Sequence, residues 1–381
     1  MMIPLEQIKQ IKTPAYVIDE RKLINNLEIL SAVKKKTGCS IILALKAFSM
    51  FSTFPLIRKY LDGTTASSLN EARLGKEEFQ KNVHIYLPVY REEEMDEICS
   101  YASHISFNSF SQWKKYKPFL KEKYPEIEIG LRINPGVSSS PSPLYDPCAP
   151  CSRLGVRIEE FAGEEITGFS GFHFHTLCEQ NVEPLEKTLN AVEEKFGDYL
   201  YQLKWLNIGG GHHITRADYK VDRLCELINY FKEKYDLEII LEPGEAVVLN
   251  AGYLVTTVLD IVKNEMEIAI LDSSAAAHMP DVIEMPYRPP LLGSGEAGEY
   301  AHTYRLTGNS CLPGDVIGDY SFKEPLKVGD KLVLLDMAHY TMVKNNTFNG
   351  INLPSIYLLR PDQSLSLVKT FGYADFKIRL S

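Results

Sequence analysis

The sequence contains no apolar run near the roughly 20 residues that a membrane-spanning helix needs. Its start, MMIPLEQIKQIKTP, has neither the basic stretch nor the apolar core of an export signal, so we expect a cytoplasmic protein that binds no membrane. No segment is of low complexity, and the content of 45% hydrophobic and 24% charged residues is ordinary for a globular chain. Extended disorder is therefore not expected.

Basic residues are outnumbered, because 41 lysines and arginines face 50 aspartates and glutamates and leave a formal net charge of −9. A chain of this charge is repelled at long range by nucleic-acid backbones and anionic membranes, so we expect neither as a partner. A cationic small molecule fits the charge better. Acidic composition also serves solubility, so the charge alone does not identify a ligand.

Cysteine is sparse and odd in number, with seven residues scattered between Cys39 and Cys311. This distribution is unlike a disulfide framework. Cys148 and Cys151 form one Cys-x-x-Cys in a proline-rich loop, but no second pair accompanies them, so zinc or redox use is the less favoured interpretation. The adjacent His212-His213 lacks an evident third ligand and stays unassigned. We predict no metal site.

Short apolar runs alternate with amphipathic stretches between about residues 40 and 244, as in repeated strand–helix units. The runs predict eight strands, at 41–46, 62–66, 84–88, 105–108, 128–133, 170–175, 204–208 and 237–242. Eight parallel strands are the number that closes a TIM-type barrel. We therefore predict an α/β fold with a (β/α)8 barrel over residues 20–246.

Helix signals lie between these strands and ahead of them. Ser68-Leu-Asn-Glu71 has the spacing of a capping box, and further helices are predicted at 92–101, 182–196 and 218–235. A face of apolar residues at helical spacing predicts another helix that ends near Gly38; its members are Leu23, Leu27, Leu30 and Val33.

After Gly244 the pattern changes to β-rich runs, namely AGYLVTTVLDIVKN, EMEIAILDSS, KLVLLDMAHYTMV and SIYLLRP. Turn signals such as Val328-Gly-Asp330 separate them. We predict a second, C-terminal β-domain over residues 247–381. The N-terminal segment 1–19, which is strand-like at 15–19, is expected to join that domain rather than the barrel.

Four features fall at predicted carboxyl ends of barrel strands, where barrels of this type gather their functional groups. They are Lys46, His175, the triplet Gly209-Gly210-Gly211 and Glu242-Pro-Gly244. Lys46 ends an apolar run, so its amine either reaches out to solvent or is desolvated with a lowered pKa. The second state is the one that Schiff-base chemistry with an aldehyde requires.

The other three features each allow two interpretations. The glycine triplet offers unobstructed N–H groups that suit a phosphate, or it marks a tight turn. Glu242 could keep a bound pyridine nitrogen protonated, or it could cap a turn. His173 and His175 share one face of a strand, so one of them could stack on a flat cofactor while the other is an ordinary buried histidine.

In order and spacing these landmarks resemble the fold-type III pyridoxal-phosphate decarboxylases, which include ornithine, arginine and diaminopimelate decarboxylases, with alanine racemase as a distant relative. The likeness runs from Thr13-Pro-Ala-Tyr16, through the strand-end residues, to Gly308-Asn-Ser-Cys-Leu-Pro-Gly-Asp315 and Met337-Ala-His-Tyr340. Cys311 and Tyr340 are not interpretable without it.

The resemblance implies pyridoxal 5′-phosphate as the cofactor. Lys46 would hold it as a Schiff base, His175 would stack on its ring and Glu242 would pair with the pyridine nitrogen. The residues implied in phosphate binding are Gly209, Gly210, Gly211, Gly244 and Tyr340. Cys311 would protonate the substrate carbon after carbon dioxide leaves. In this family that cysteine reaches the active site of the partner subunit, so a homodimer is implied.

Departures from the family pattern reduce the number of candidate substrates. Glu242-Pro-Gly-Glu245 stands where these enzymes usually read Glu-Pro-Gly-Arg. Cys311-Leu312 replaces the Cys-Glu of diaminopimelate decarboxylases, and Arg288-Pro-Pro-Leu-Leu292 lacks their tyrosine, so diaminopimelate is disfavoured. The run His175-Thr-Leu-Cys-Glu179 resembles the carboxynorspermidine decarboxylases, which act on a long carboxylated polyamine.

Several amines on such a substrate call for anions along the cleft, and Glu245 and Asp281 are the carboxylates expected there. Asp281 could equally cap a loop. The predicted function is decarboxylation of carboxynorspermidine or carboxyspermidine to norspermidine or spermidine. The alternatives are another basic-amino-acid decarboxylase of this fold, a racemase, which Glu242 disfavours, and an inactive regulatory homologue, which would have lost Lys46 or Cys311.

Overall fold

The computed structural model describes residues 3–140 and 143–381. They form a barrel unit, Asn26–Val247, and a sheet unit that joins the residues up to Asn25 with Val248–Ser381. The first strand of the chain, β1 (Ala15–Asp19), belongs to the sheet unit. Within the described ranges no helix is long and apolar enough to cross a membrane.

The barrel unit is a closed ring of eight parallel strands. In chain order they are β2 (Ser40–Ala44), β3 (Gly63–Ala66), β4 (Asn82–Tyr86), β5 (His104–Phe107), β6 (Glu128–Arg132), β7 (Gly171–His173), β8 (Trp205–Asn207) and β9 (Glu238–Leu241). Ile41 of β2 lies opposite Leu241 of β9, which closes the ring. The predicted barrel is confirmed, and each strand end lies within two residues of its predicted position.

Strand β2 is apolar on both faces, as suits a parallel strand buried between a core and an outer layer of helices. Ile41, Ile42 and Leu43 of β2 are all fully buried. Burying each such side chain contributes roughly 1.5–3 kcal/mol relative to leaving it exposed. Other barrel strands also bury polar side chains, among them Thr64 in β3 and His84 in β4.

The α-helices are α1 (Leu5–Gln10), α2 (Glu20–Thr37), α3 (Phe54–Ile57), α4 (Leu69–Leu74), α5 (Glu92–Tyr101), α6 (Phe110–Lys123), α7 (Val182–Leu200), α8 (Val221–Tyr235), α9 (Glu245–Val248), α10 (Ala275–His278), α11 (Asp281–Glu284), α12 (Thr341–Lys344) and α13 (Tyr373–Lys377). The predicted apolar face of α2 is confirmed, because Leu23, Leu27, Leu30 and Val33 are fully buried. Gly38, with φ +69°, follows the end of this helix.

The capping signal at the start of α4 is present in a modified form. The hydroxyl of Ser68 accepts a hydrogen bond from the Glu71 N–H at 3.1 Å, as predicted. The Glu71 carboxylate accepts from the N–H of Ser67 at 2.7 Å, one residue before the N-cap. Both bonds satisfy backbone N–H groups at the beginning of the helix, which fixes the segment that follows β3.

The sheet unit contains one eight-stranded sheet. Besides β1, its strands are β10 (Gly252–Asn264), β11 (Met266–Leu271), β12 (His302–Thr307), β13 (Val316–Phe322), β14 (Lys331–Leu335), β15 (Ser355–Leu359) and β16 (Leu365–Lys369). Their order is β13-β12-β11-β10-β1-β15-β16, and β14 also pairs with β10. Tyr16 of β1 lies opposite Leu254 on one side and Ile356 on the other.

One β-rich run of the sheet unit was predicted too long. In the run from Lys331 to Val343 only Lys331–Leu335 is a strand, and α12 begins at Thr341. Asp336 and Tyr340 have positive φ values of 58° and 48°, which turn the chain out of the sheet. The strand prediction for the second half of this run is therefore wrong. The turn before β14 is confirmed, since Gly329 has φ +96°.

Candidate active site

The carboxyl ends of the barrel strands surround a cavity that opens to solvent. Its walls carry three basic side-chain types, one carboxylate and three hydroxyl groups. The lining residues are Lys46, Thr65, Ser67, Tyr86, Arg132, His173, His175 and Glu242. Three predicted site residues from distant parts of the sequence, Lys46, His175 and Glu242, therefore come together in one cavity.

Lys46 lies two residues beyond the end of β2, with its Nζ 3.4 Å from Nε2 of His175. The side chain reaches the solvent space of the cavity but is enclosed by its walls. This enclosure and the positive charge of Arg132 lower the pKa of the Lys46 amine, although Glu242 partly opposes the shift. The geometry therefore favours a larger neutral, nucleophilic fraction than an ordinary lysine has.

His175 is fixed by a backbone hydrogen bond on its other nitrogen. The N–H of Gly210 donates to Nδ1 at 3.0 Å, so Nδ1 carries a lone pair and the proton of the neutral ring lies on Nε2, facing Lys46. Burial and the nearby charges of Lys46 and Arg132 lower the pKa of His175 well below its usual range. The imidazole is therefore neutral at neutral pH.

Glu242 follows β9 directly and is almost fully buried. Its Oε1 accepts a hydrogen bond from Nδ2 of Asn207 at 2.7 Å, and its Oε2 lies 3.6 Å from Nε2 of His173. Burial by itself raises the pKa of this carboxyl, but His173 and Asn207 lower it more, so the net shift is downward. Glu242 is therefore an ionised carboxylate in the cavity wall.

Arg132 and Tyr86 are two cavity residues that the sequence interpretation missed. Arg132 ends β6, is 5% exposed and donates from its guanidinium to the carbonyl oxygen of His175 at 3.1 Å. Its guanidinium carbon lies 4.4 Å from the centre of the Tyr86 ring, at the end of β4. Both residues occupy carboxyl ends of strands, so the rule that selected Lys46 would have selected them as well.

The glycine triplet forms a turn in which two of its three N–H groups are already used. Gly209 donates to Oδ1 of Asn207 at 2.9 Å, and Gly210 donates to His175. Gly209 has φ +68°, and a Cβ at Gly210 would lie 2.1 Å from the Glu242 carbonyl oxygen. The triplet thus serves a tight turn and a close approach between strands. Gly244 is similarly close, because a Cβ there would lie 2.5 Å from Cβ of Ala47.

The two acids that the sequence assigned to the substrate are both paired. Oε2 of Glu245, the first residue of α9, lies 3.0 Å from Nε2 of His213, and both residues are buried. Asp281, in the sheet unit, accepts from the Lys344 ammonium, which also contacts Glu284. His213 thereby gains a partner that the sequence did not suggest.

Cys311 and Tyr340 belong to the sheet unit. Cys311 is exposed, and its backbone N–H donates to Oδ1 of Asn349 at 2.8 Å. The segment is also held by Asp315, whose buried carboxylate accepts from the Ser310 N–H at 3.1 Å and the Ser274 hydroxyl at 2.8 Å. Tyr340 lies at the start of α12.

The Cys-x-x-Cys pair is not part of a group of metal ligands in the described part of the chain. Cys148 and Cys151 are both free thiols, and burial raises the pKa of Cys148 to about 11. Across residues 3–140 and 143–381, no group of three or more His, Cys, Asp or Glu side chains could hold a metal ion.

Three features together define the class of this protein. They are a lysine with a lowered pKa at the end of a barrel strand, a buried ionised glutamate, and a separate, largely antiparallel sheet unit. The family model described as "Pyridoxal-dependent decarboxylase, C-terminal sheet domain" matches residues 15–338. The chain belongs to this family of pyridoxal-dependent decarboxylases, and its cofactor is pyridoxal phosphate.

Curated relatives and a solved structure match nearly the whole chain. A carboxynorspermidine/carboxyspermidine decarboxylase of Campylobacter jejuni is 44% identical and covers 97% of this chain and 99% of its own length. A carboxyaminopropylagmatine decarboxylase of Synechocystis is 45% identical, with 98% and 97% covered. The crystal structure of a Campylobacter jejuni carboxynorspermidine decarboxylase complexed with norspermidine has a TM-score of 0.90 at 43% identity and covers 97% of this chain and 100% of its own.

Proposed function

We propose that this chain decarboxylates carboxynorspermidine or carboxyspermidine and forms norspermidine or spermidine in polyamine biosynthesis. The observation that carries the proposal is the cavity that unites Lys46 with Glu242, in a chain 44% identical over nearly its full length to the Campylobacter jejuni enzyme. The departures from the diaminopimelate pattern at Leu312 and Leu292 support the same choice.

The residues around the cavity fit pyridoxal phosphate. Asn207 donates to Oε1 of Glu242, and Oε2 has no hydrogen bond within 3.5 Å in the described part of the chain, which suits a protonated pyridine nitrogen. Both ring nitrogens of the buried His173 also lack a hydrogen-bond partner among the described residues. Lys46 would hold the cofactor covalently, and His175 would contact its ring. When bound, the cofactor supplies an electron sink for the pair left by departing carbon dioxide.

The phosphate contacts are assigned to the glycine turns and to the sheet unit. Gly209 and Gly210 shape the turn, and the Gly211 and Gly244 N–H groups, which have no backbone acceptor within the described residues, would donate to the phosphate. Tyr340 would add a hydroxyl contact. Glu242 would hold the ring-nitrogen proton in place, because a buried ionised carboxylate stabilises a cation beside it.

Cys311 would deliver a proton to the substrate carbon once carbon dioxide has left. An exposed thiol on a held backbone suits this role, because it can enter a site formed by a second copy of the chain. Exposed apolar side chains flank the same region, with Leu312 39% exposed and Phe348 44% exposed. Such side chains favour burial against a partner, so we propose a homodimer with shared active sites.

Glu245 is the acid that we propose as the main anion for the amines of the substrate. Its partner His213 is an imidazole, whereas Asp281 shares its charge with the ammonium of Lys344. An ammonium group keeps its charge throughout the physiological pH range. The charge of Asp281 is therefore largely neutralised by Lys344, and the carboxylate attracts a cationic ligand less strongly. Glu245 also acts electrostatically on Lys46, which places its charge close to the reacting group.

Carboxyaminopropylagmatine is a second candidate substrate, because its Synechocystis decarboxylase is 45% identical to this chain. The agmatine part of that compound ends in a guanidinium group instead of an amine. Both candidate substrates would present a carboxylated α-amino group to the cofactor. Both also have cationic groups at positions remote from that end. They differ in the group at the far end of the cleft.

Carbon dioxide release by the purified holoenzyme tests the proposal. The panel contains carboxynorspermidine, carboxyspermidine, carboxyaminopropylagmatine, ornithine, arginine and diaminopimelate. We expect the highest kcat/KM with one of the first two. A preference for the guanidinium compound would support the second candidate, and activity on ornithine or diaminopimelate alone would refute both. Glu245→Gln should raise KM more than Asp281→Asn, with Asp222→Asn on the exposed face of α8 as the control.

Subunit mixing tests the shared active site. Lys46→Ala and Cys311→Ala chains are each expected to be nearly inactive. After dissociation and reassociation of an equal mixture, about half of the dimers are hybrids with one intact site, so about a quarter of the wild-type activity should return. A mixture that stays inactive although hybrids form would show that Lys46 and Cys311 act within one chain.

A further inference from the structure

Asn207, the last residue of β8, connects two parts of the candidate site through the two ends of its amide. Its Nδ2 donates to Oε1 of Glu242 at 2.7 Å. Its Oδ1 accepts from the N–H of Gly209 at 2.9 Å. The side chain is 2% exposed, so water does not substitute for either bond. One amide therefore joins the buried carboxylate of β9 to the glycine turn that follows β8.

Only an amide of this length satisfies both neighbours. An aspartate could accept from Gly209 but could not donate to Glu242, and it would place a second carboxylate beside a buried one. A leucine has a similar volume but would leave the Gly209 N–H and one Glu242 oxygen without partners. An unsatisfied buried polar group destabilises the folded chain, and a charged one does so more strongly. The chemistry of the contact thus specifies asparagine.

We infer that Asn207 is a positioning residue, whose amide orients the Glu242 carboxylate toward the cofactor ring nitrogen and locks the Gly209 turn to it. This inference rests on the proposed function, in which Glu242 pairs with the pyridine nitrogen. Within the described residues, the Asn207 amide provides the one hydrogen bond shorter than 3.5 Å that the Glu242 side chain receives. Glu242 therefore depends on Asn207 for its orientation.

Other charged and titratable groups also face Glu242 from the strands around it. They are Lys46 beyond β2, His84 of β4, Arg132 of β6, and His173 and His175 at β7. None of them donates a hydrogen bond to its carboxylate within 3.5 Å in the part of the chain that is described. They set the electrostatic surroundings of the carboxylate, and Asn207 sets its direction.

Two variants separate positioning from folding. Asn207→Asp keeps the acceptor for Gly209, removes the donor to Glu242 and adds a second carboxylate beside it. The double variant Asn207→Asp with Glu242→Gln restores a donor and an acceptor across the contact, and it keeps a single carboxylate but moves it from residue 242 to residue 207. If positioning is the role, the double variant regains thermal stability but not the interaction with the ring nitrogen.

The test uses the full-length holoenzyme without substrate. The absorption spectrum of the bound cofactor is recorded as a function of pH, and cofactor affinity is measured by equilibrium dialysis. For both variants we expect the pH transition of the cofactor band to shift and the affinity to fall at least about tenfold. The double variant should melt close to the wild type, and it supplies a folded protein if Asn207→Asp does not fold.

A wild-type spectrum and affinity in either folded variant would overturn the inference. A loss of affinity that follows the loss of thermal stability, with the pH transition unchanged, would also overturn it, because it would reduce Asn207 to a structural residue. No substrate enters these measurements. Failure of the enzyme to decarboxylate either carboxynorspermidine or carboxyspermidine would therefore refute the proposed function and leave the result on Asn207 standing.

Discussion

In the barrel unit the candidate residues are held through side-chain atoms, whereas in the sheet unit Cys311 is held through its backbone. Glu242 accepts from Asn207 at 2.7 Å and His175 accepts from Gly210 at 3.0 Å. Cys311 is exposed, and its N–H donates to Asn349 at 2.8 Å. The barrel therefore fixes the direction of each functional group, while the sheet unit fixes only the segment that carries the thiol.

This difference follows from what each group must do. Groups that need a shifted pKa must be desolvated, and a desolvated polar group is stable only when its hydrogen bonds are satisfied. The role proposed for Cys311, in a second copy of the chain, requires a thiol on the surface, where only its backbone can be held in advance. The two units thus supply two kinds of preorganisation.

The largest expected effect comes from removing the amine of the barrel site. Lys46→Ala should lower kcat by at least about 1000-fold and abolish the absorbance of the covalently held cofactor, because among the described residues no second lysine lines the cavity. Steady-state assays and absorption spectra measure both. Lys36→Ala, which breaks an exposed pair with Asp222, is the control and should leave both unchanged. A Lys46→Ala protein with the wild-type spectrum would contradict the assignment.

The next largest effect is expected from removing the thiol of Cys311 in the sheet unit. Cys311→Ala should lower kcat by about 100-fold, the scale of a lost proton donor, while the cofactor spectrum stays unchanged because no cofactor contact is removed. Cys311→Ser should recover a small part of the activity. Cys151→Ser, at another exposed cysteine, is the control. A Cys311→Ala enzyme with altered cofactor absorbance would place the thiol at the cofactor and not at the substrate carbon.

The eight barrel strands could be predicted because buried parallel strands leave a local pattern of short apolar runs. Lys46, His175 and Glu242 could be selected because they follow such runs. The bonds that organise them could not, since Asn207 and Glu242 are 35 residues apart and no local signal records their pairing. The pairing of Asp281 with Lys344 spans 63 residues, so it could not be predicted from the sequence for the same reason.

The site roles and the domain limits, at 20–246 and 247–381 with segment 1–19, stay predictions. In the sheet unit, β12 and β13 were not predicted, because their runs are short and interrupted by polar residues. The sequence pattern also predicted too long a strand over residues 331–343, because it does not show the positive φ values at Asp336 and Tyr340 that turn the chain. Such backbone turns depend on contacts that a local pattern does not contain.

Close packing at the glycine turn gives a smaller effect, on stability. A Cβ at Gly210 would lie 2.1 Å from the backbone oxygen of Glu242, and the backbone cannot move aside cheaply. Gly210→Ala should therefore lower the free energy of unfolding by about 1–3 kcal/mol or more, measured by urea denaturation. Gly314→Ala in the sheet unit is the matched control, because a Cβ there meets no atom within 4 Å. Equal losses in the two variants would show that close packing does not decide the requirement for glycine.

The smallest expected effect concerns the pH dependence of the barrel unit. His212 is 1% exposed, and its Nδ1 lies 2.6 Å from the hydroxyl of Tyr219. Burial lowers the pKa of His212 to about 3, with a smaller contribution from His213. In the unfolded chain a histidine has a pKa of about 6.5, so the unfolded state binds more protons at pH values between these two. The stability contributed by the neutral imidazole is complete above about pH 6.5 and is lost progressively as the pH falls from there toward 3.

Between pH 6 and pH 5, His212 should therefore cost the wild type about 1 kcal/mol of unfolding free energy. His212→Gln keeps a group that can hydrogen-bond to Tyr219 but does not titrate, so its stability should fall by that much less over the same interval. Urea unfolding followed by tryptophan fluorescence measures this in the barrel, because both tryptophans of the chain, Trp113 and Trp205, belong to that unit. Above pH 7 the two proteins should show the same slope, which is the internal control. Parallel curves from pH 7 down to pH 5 would mean that His212 binds its proton as readily in the folded barrel as in the unfolded chain. The contrast between the barrel groups and the exposed sheet-unit thiol would then rest on Lys46, His175 and Glu242 alone.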